Sequence, residues 1–292
     1  ALVHYVKLFY DFLARFPPSG AMPWLPDLAR ADRMHLEALF SADEAPLPDD
    51  SPTGAAESSA GSSDQGASGV AVVARNLHLT GKRGPVYGPI DLTVRTGELL
   101  LVTGPAGSGR TALLLTLAGR LRPSPGSELT VLGHRLPRRA RAVQHRSSAV
   151  GFAGLDDLDE EVSVAAAVRE REAWLAPWYR IVRRPDDAHV ALVCGRVFGD
   201  RPVPTARQVV HSLDEASNLM LRISLAMLSN PSLLVIDDLD QLRDSGSRIE
   251  VWESLRRLSA RDGVTVLVAS STARELAQLG WETLPQHVRL HP

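Results

Sequence analysis

The chain has 292 residues, 44% of them hydrophobic and 23% charged, with a formal net charge of −2. That length accommodates one globular domain of ordinary size plus something added to it, and the near-neutral balance excludes a global pull toward nucleic acid or anionic membrane. A single cysteine, Cys194, rules out an internal disulfide and fits a reducing compartment, and no apolar run approaches the roughly 18–20 residues that span a bilayer.

No signal peptide is legible, so a cytoplasmic chain is expected. Residues 1–40 read as a short helical extension. In "ALVHYVKLFYDFLARF", Leu2, Val6, Phe9, Leu13 and Phe16 recur at helical spacing, Pro17-Pro18 ends the segment, and "LPDLARADRMHLEALF" is a second amphipathic stretch. Both need a partner surface, either the main domain or another subunit; a membrane-surface or regulatory role is the alternative. From 41 to 69 the chain turns to Ser, Gly, Ala, Pro and Asp, the composition of a flexible linker.

From Val70 strands alternate with helices, which predicts an α/β domain with a largely parallel sheet. "VAVVARNLHL" and "PIDLTVRTGELLLVT" supply strands, "TALLLTLAGRL" a helix with a Leu-rich face, and "SAVGFAG" a short strand. Residues 161–228 are mainly helical, broken near Pro177, Pro185, Pro202 and Pro204. The strand "SLLVIDD", the helix "SRIEVWESLRRLSAR" and the strand "VTVLVAS" follow, with two short helical segments at the end.

The stretch "GPAGSGRT", Gly104-Pro105-Ala106-Gly107-Ser108-Gly109-Arg110-Thr111, leaves an apolar strand and opens a helix. It resembles the phosphate-cradling loop G-x-x-x-x-G-K-[ST], with arginine in place of lysine. Only Lys7 and Lys82 are lysines in the whole chain, so an arginine here follows the general bias of the sequence. Glycines allow backbone N–H groups to turn onto phosphates at a helix N-terminus. Arg110 keeps the positive charge and can fork onto phosphate oxygens, and the hydroxyl of Thr111 suits Mg²⁺. Asp237 and Asp238 end the buried strand "LLVIDD", one on the metal side and one beside the attacking water. A functionless glycine turn is the alternative, which the downstream Asp pair disfavours.

From Val70 onward, about three quarters of the chain, the sequence resembles the ATP-binding subunit of ABC transporters. "LDEASNLMLRISLAMLSNPSLLVIDD" aligns without a gap on that family's run from its LSGGQ signature to its acidic strand, and "LTVRTGELLLVTGPAGSG" is similar to its loop region. The resemblance implies a P-loop NTPase fold with a mainly parallel sheet, an antiparallel β subdomain and a helical insertion at about 156–228, all within a nucleotide-binding domain at 70–292. It also implies ATP and Mg²⁺ as cofactors. Gly104–Thr111 then bind phosphates, Arg110 reaches the β- and γ-phosphates, Thr111 and Asp237 hold the metal, Asp238 positions water, and Asp244 is the aspartate that shapes the subunit contact. The implied partners are a membrane permease in a separate chain and a second nucleotide-binding domain, as a homodimer or heterodimer, at the inner face of the cell membrane.

The motifs depart from the family's pattern at several points. Asp238 stands for a glutamate and is one methylene shorter. Leu155 falls at the position of a glutamine, Ser271 at that of a histidine, and Gly81 or Thr80 where a stacking aromatic is usual, with Tyr87 a lesser candidate for that role. Ala112 replaces a hydroxyl residue. Asp214 and Glu215 bring carboxylates to the signature, where they are expected to cap the helix and repel ATP. The arginine run "HRLPRRARAVQHR" reads as a solvated surface, so no nucleic-acid partner is expected, and none of the nine histidines forms a metal site. Trp174 and Trp178 are expected in the core of the insertion, with anchoring of a membrane partner as the alternative. ATPase activity is expected to be weak or partner-dependent; a nucleotide-binding regulatory or scaffold protein with little turnover is the second reading.

Overall fold

Apolar residues on both faces of three short strands dictate how the layers stack. The strands are β3 (Leu99–Thr103), β7 (Leu233–Ile236) and β8 (Thr265–Ser270), and every residue in them is buried. Alternating side chains point to opposite faces of a sheet, so strands of this kind must be covered twice. In this computed structural model, which describes residues 69–291 apart from 153, 155, 178, 238, 274, 275 and 277, they are. The expected helices at 1–40, and the expected linker up to residue 68, lie outside the described residues.

The parallel sheet has the order β6-β7-β8-β3-β9, with β6 at Ser147–Val150 and β9 at Gln286–Arg289. One face carries Leu101, Ile236 and Val268 into a core shared with four helices: α3 (Val164–Leu175), α4 (Asp187–Phe198), α5 (Glu215–Met227) and α6 (Ser245–Asp262). The opposite face carries Leu100, Val102, Val235 and Leu267 onto α1 (Arg110–Leu117) and a separate antiparallel sheet. That second sheet has the order β2-β1-β4-β5, from Val70–Gly81 (β1), Gly84–Arg95 (β2), Glu128–Val131 (β4) and His134–Leu136 (β5).

The expected mixture of a parallel sheet, an antiparallel sheet and helices is therefore present. The helices of residues 161–228 are broken where the prolines stand: α3 stops before Pro177, Pro185 precedes α4, and Pro202 and Pro204 separate α4 from α5. Two segments differ from expectation. Residues 134–146, read as a basic solvated surface, contain β5 and the short helix α2 (Ala140–His145) and follow the unforeseen strand β4, although Arg135, Arg138 and Arg139 are exposed as foreseen. The final segment, read as helical, carries β9, a mostly exposed strand that escapes the apolar pattern because it sits at the sheet's edge beside β3.

Trp174 is corrected too. It is 64% exposed at the end of α3 and does not join the insertion's core, while Trp178 lies outside the described residues. Cys194, by contrast, is fully buried on α4, in the core shared with α5. Burial pushes its thiol pKa up to about 11, against a smaller lowering by a hydrogen bond with Ser224. Thiolate is the reactive form. The native protein at pH 8 is therefore expected to resist a thiol reagent for as long as it stays folded, with full labelling in denaturant, as mass spectrometry would record; rapid stoichiometric labelling of folded protein would contradict the placement.

Candidate functional site

Strand β3 delivers Gly104 to the carboxyl edge of the parallel sheet, where open α/β sheets bind ligands. The loop that follows is closed in from two sides. A Cβ on Gly104 would lie 2.4 Å from Ser108 Oγ and 3.0 Å from the Leu290 carbonyl oxygen; one on Gly109 would lie 2.3 Å from the Val86 carbonyl oxygen. Gly109, at φ +84°, is the N-cap of α1 and supplies no side-chain cap. The first N–H groups of that helix thus have neither an intrahelical acceptor nor a capping oxygen. Beneath them Ser108 is completely buried, and its hydroxyl has no hydrogen-bond partner in the protein. Pro105, Ala106 and Gly107 form the exposed tip, and Thr111 is exposed in the helix's first turn. Orphan N–H donors, an unpartnered hydroxyl and the positive end of a helix dipole together suit an anion such as phosphate.

The acidic strand end arrives at the same edge. Asp237, 8% exposed, follows β7 and donates its N–H to the Val150 carbonyl at 2.9 Å. Strand β8 lies between β7 and β3, so Asp237 and the loop leave the same edge of the sheet two strands apart. Asp238 lies outside the described residues. Among the described residues no group of three or more His, Cys, Asp or Glu could hold a metal; a Thr hydroxyl with one Asp suits Mg²⁺, which commonly completes its shell with phosphates and water.

Arg110 does not point into open solution. Its Nη1 donates to Asp240 Oδ2 at 3.2 Å, with both side chains mostly buried. Asp240 also accepts from Ser270 Oγ at 2.9 Å, Ser271 N–H at 2.6 Å and Ser271 Oγ at 3.0 Å. Sequence reasoning gave Asp240 no role; its only signal was a third carboxylate soon after the strand. Asp156 was overlooked likewise. It accepts the Gly151 and Phe152 N–H groups at 2.9 Å each and pairs with Arg222 of α5, which pins the segment around Leu155 (itself outside the described residues) to the signature helix.

Tyr87 is not a base-stacking platform. It is 3% exposed, and its hydroxyl donates to Thr116 Oγ1 at 2.7 Å; burial raises its pKa, which that bond partly offsets. Asp214 is the N-cap of α5, as expected, accepting from Ser217 N–H and Ser217 Oγ at 2.9 Å each and from Arg201 Nη2 at 2.7 Å. Glu215 turns the other way and accepts the Arg243 N–H at 2.8 Å. Asp244 caps α6 through the Ser247 N–H at 2.7 Å.

The family model of the AAA ATPase domain matches residues 90–268. The chain belongs to that family. Relatives of this AAA ATPase-domain protein include the galactofuranose transporter ATP-binding protein YtfR of Escherichia coli O157:H7, 30% identical across 67% of this chain and 39% of its own length. The Nod factor export ATP-binding protein I of Rhizobium meliloti (strain 1021) is 30% identical across 67% and 55% respectively. The chain thus spans 39–60% of the length of the curated relatives it matches here. Its fold is that of an ABC cassette. It superposes on the ADP conformation of MJ1267, an ATP-binding cassette of an ABC transporter, with a TM-score of 0.61 at 14% identity over 76% of this chain and 87% of that one. The dimeric bacterial cassette MJ0796 gives 0.56 at 19% identity over 75% and 94%. The resemblance to ABC transporter ATP-binding subunits read from the sequence is borne out.

The capping of α5 has a pH signature. Burial raises the pKa of Asp214, but the Ser217 and Arg201 contacts outweigh that and leave it below the ordinary value. A depressed folded pKa contributes stability above the unfolded value of about 3.9, and that contribution is lost as pH falls through the folded one. Asp214→Ala is expected to cost about 1 kcal/mol at pH 7, mostly as a lost cap because the exposed ion pair is screened. In urea unfolding the gap between variant and parent should close below about pH 4; an equal gap at pH 7 and pH 3 would contradict the assignment.

Proposed function

We propose that this chain is the ATP-binding component of an ABC-type transporter, coupling nucleotide binding and slow hydrolysis to a separately encoded membrane permease. The observation that carries this reading is the glycine loop itself: an uncapped helix N-terminus above a buried, unpartnered Ser108 hydroxyl, with Arg110 beside it. In this role Gly104–Thr111 hold the phosphates, Thr111 and Asp237 would hold Mg²⁺, and Asp238 orients water. The metal would supply neutralisation of phosphate charge. The domain assignment follows, with residues 70–292 as the nucleotide-binding domain, its helical insertion at about 156–228, and residues 1–40 and 41–69 as an appended helical extension and linker.

The permease is supported by the relatives, whose names describe transporter and export ATP-binding proteins. Among the described residues no helix is long and apolar enough to cross a membrane. Exposed Trp174, Leu175, Tyr179 and Ile181 cluster in sequence at the end of α3. Beside α3 lies a groove of ≈ 440 Å³ lined in part by Asp156, Trp174 and Arg222, a surface suited to a permease segment. In this reading the protein sits peripherally at the inner face of the membrane, paired with a second nucleotide-binding domain of its own or another kind. Slow turnover is supported by Ser271, whose hydroxyl and N–H serve Asp240, and by Asp214 and Glu215, whose carboxylates serve α5 and the Arg243 N–H. The same contacts favour the second reading, a nucleotide-binding scaffold without turnover.

ATP affinity and hydrolysis, measured with and without a permease encoded nearby, separate these. Losing charge-assisted hydrogen bonds, Arg110→Ala should weaken binding about tenfold or more. Asp238→Asn should leave affinity within about threefold and abolish residual turnover, by loss of the base. If neither substitution moves either quantity, the site assignment fails. Binding without turnover, even with the permease, selects the scaffold.

A further inference from the structure

The two ends of the candidate phosphate site differ in what their donors are doing. At the loop end, the α1 N-terminus has no side-chain cap and Ser108 Oγ is buried without a partner. Those groups suit the phosphates nearest the nucleoside. At the far end, the donors are already committed to a carboxylate of this chain. Asp240 takes the Ser270 hydroxyl, both the N–H and the hydroxyl of Ser271, and one arm of Arg110. Each Asp240 oxygen has two donors, so the group is held in place even when Arg110 is discounted.

We propose that Asp240 is a specificity-determining residue that makes this site prefer a nucleoside diphosphate to a triphosphate. The inference rests on the reading of Gly104–Thr111 as a phosphate site and names which phosphate chain it takes. A β-phosphate can use the orphan donors of the loop together with the N–H groups of Arg110 that Asp240 does not engage. A γ-phosphate brings a further anionic group toward Arg110 and Ser271, where it meets a fixed carboxylate instead of open donors. Like charges side by side in a partly buried site repel, and the low local dielectric strengthens the effect. Asp240 cannot swing aside without stranding the three serine donors that hold it. The carboxylate thus occupies, in charge if not in bond, the role that a third phosphate would need.

Calorimetric titration of the full chain with Mg-ADP and Mg-ATP tests this. Wild type should bind ADP about tenfold tighter than ATP. Asp240→Asn, which keeps the shape and removes the charge, should bring the ratio to near one, chiefly by tightening ATP, with ADP affinity changing less than about threefold. Tenfold is about 1.4 kcal/mol. Wild-type ATP affinity equal to or above that for ADP would overturn the proposal, whatever the variant does. So would an unchanged ratio in Asp240→Asn, or a general loss of both affinities in a variant that unfolds at the same temperature as the parent, because that pattern belongs to a residue needed only to orient Arg110. Should Asp240→Asn not fold, Ser271→Ala, which removes one of the three serine donors that fix Asp240 and so loosens it, is expected to shift the ratio toward ATP, and no shift there counts against the proposal. No heat with either nucleotide would instead defeat the phosphate-site reading itself.

Discussion

A helix that starts without a side-chain cap is the constraint on which the rest of this site depends. The first turn of α1 leaves N–H groups with no intrahelical acceptor, and Gly109 has no side chain to offer them. Among the described residues, four of the six α-helices solve the problem from within, Ser163, Asp186, Asp214 and Asp244 each accepting an N–H from the turn they precede, while the short α2 is uncapped like α1. At α1 the solution must come from outside, from water or from an anion. The geometry around it keeps the loop from relaxing toward an internal solution. Backbone carbonyls of Val86 and Leu290 crowd Gly109 and Gly104, so a larger residue that could cap the helix has no room. Strands β2 and β9 therefore shape the loop as directly as β3, which leads into it.

Carboxylates do opposite work elsewhere along the same edge of the sheet. Asp156 ties two N–H groups and Arg222, Asp214 ties the start of α5, Glu215 ties the Arg243 N–H, and Asp240 ties the end of β8. A carboxylate accepting two or three donors is a rigid joint, since leaving any of those donors buried and unmet costs about 1–3 kcal/mol. Three of these contacts, Asp156 with Arg222, Glu215 with the Arg243 N–H and Asp240 with Ser270 and Ser271, link the segment after β6, the segment after β7, the end of β8 and helix α5, while Asp214 acts within α5 and on Arg201 ahead of it. These elements are thus fastened to one another by groups within the chain, which is why slow turnover and none at all draw on the same contacts.

The parts of the fold that were legible in the sequence are those where burial is complete. Strands β3, β7 and β8 read as apolar runs because both of their faces are covered, and the prolines bounding α3 and α4 act through local stereochemistry that needs no partner. Strands β4, β5 and β9 did not read, since their exposed residues are Glu128, Arg135, Gln286, His287 and Arg289, and pairing across the sheet, not periodicity, makes them strands. The site divides similarly. Gly104–Thr111 was visible because glycines at fixed offsets encode a backbone shape. The capping role of Asp214 was visible because a cap acts over three residues. Asp240 was hidden: its partners Arg110, Ser270 and Ser271 are 130, 30 and 31 residues away. Tyr87 misled for a related reason, because whether an aromatic residue faces solvent or core in β2 depends on Thr116, 29 residues on.

The contact between Arg110 and Asp240 also gives the arginine a physical reason beyond the scarcity of lysine. An ammonium concentrates its donors around one point, and a lysine paired with a carboxylate has most of its charge satisfied there. A guanidinium spreads five N–H groups over a planar fork. Here only Nη1 is given to Asp240, at 3.2 Å, so the side chain can be oriented by one acceptor while another edge of the fork serves a phosphate. Arginine and aspartate then form a matched pair. Without the carboxylate, the longer and bulkier guanidinium would lack a fixed direction at the mouth of the loop; without the fork, the carboxylate would simply neutralise the one cation the loop contains. The departure from lysine and the acid three residues past Asp237 therefore act on one another, since the 3.2 Å contact fixes the direction of the guanidinium and takes only one of its donors.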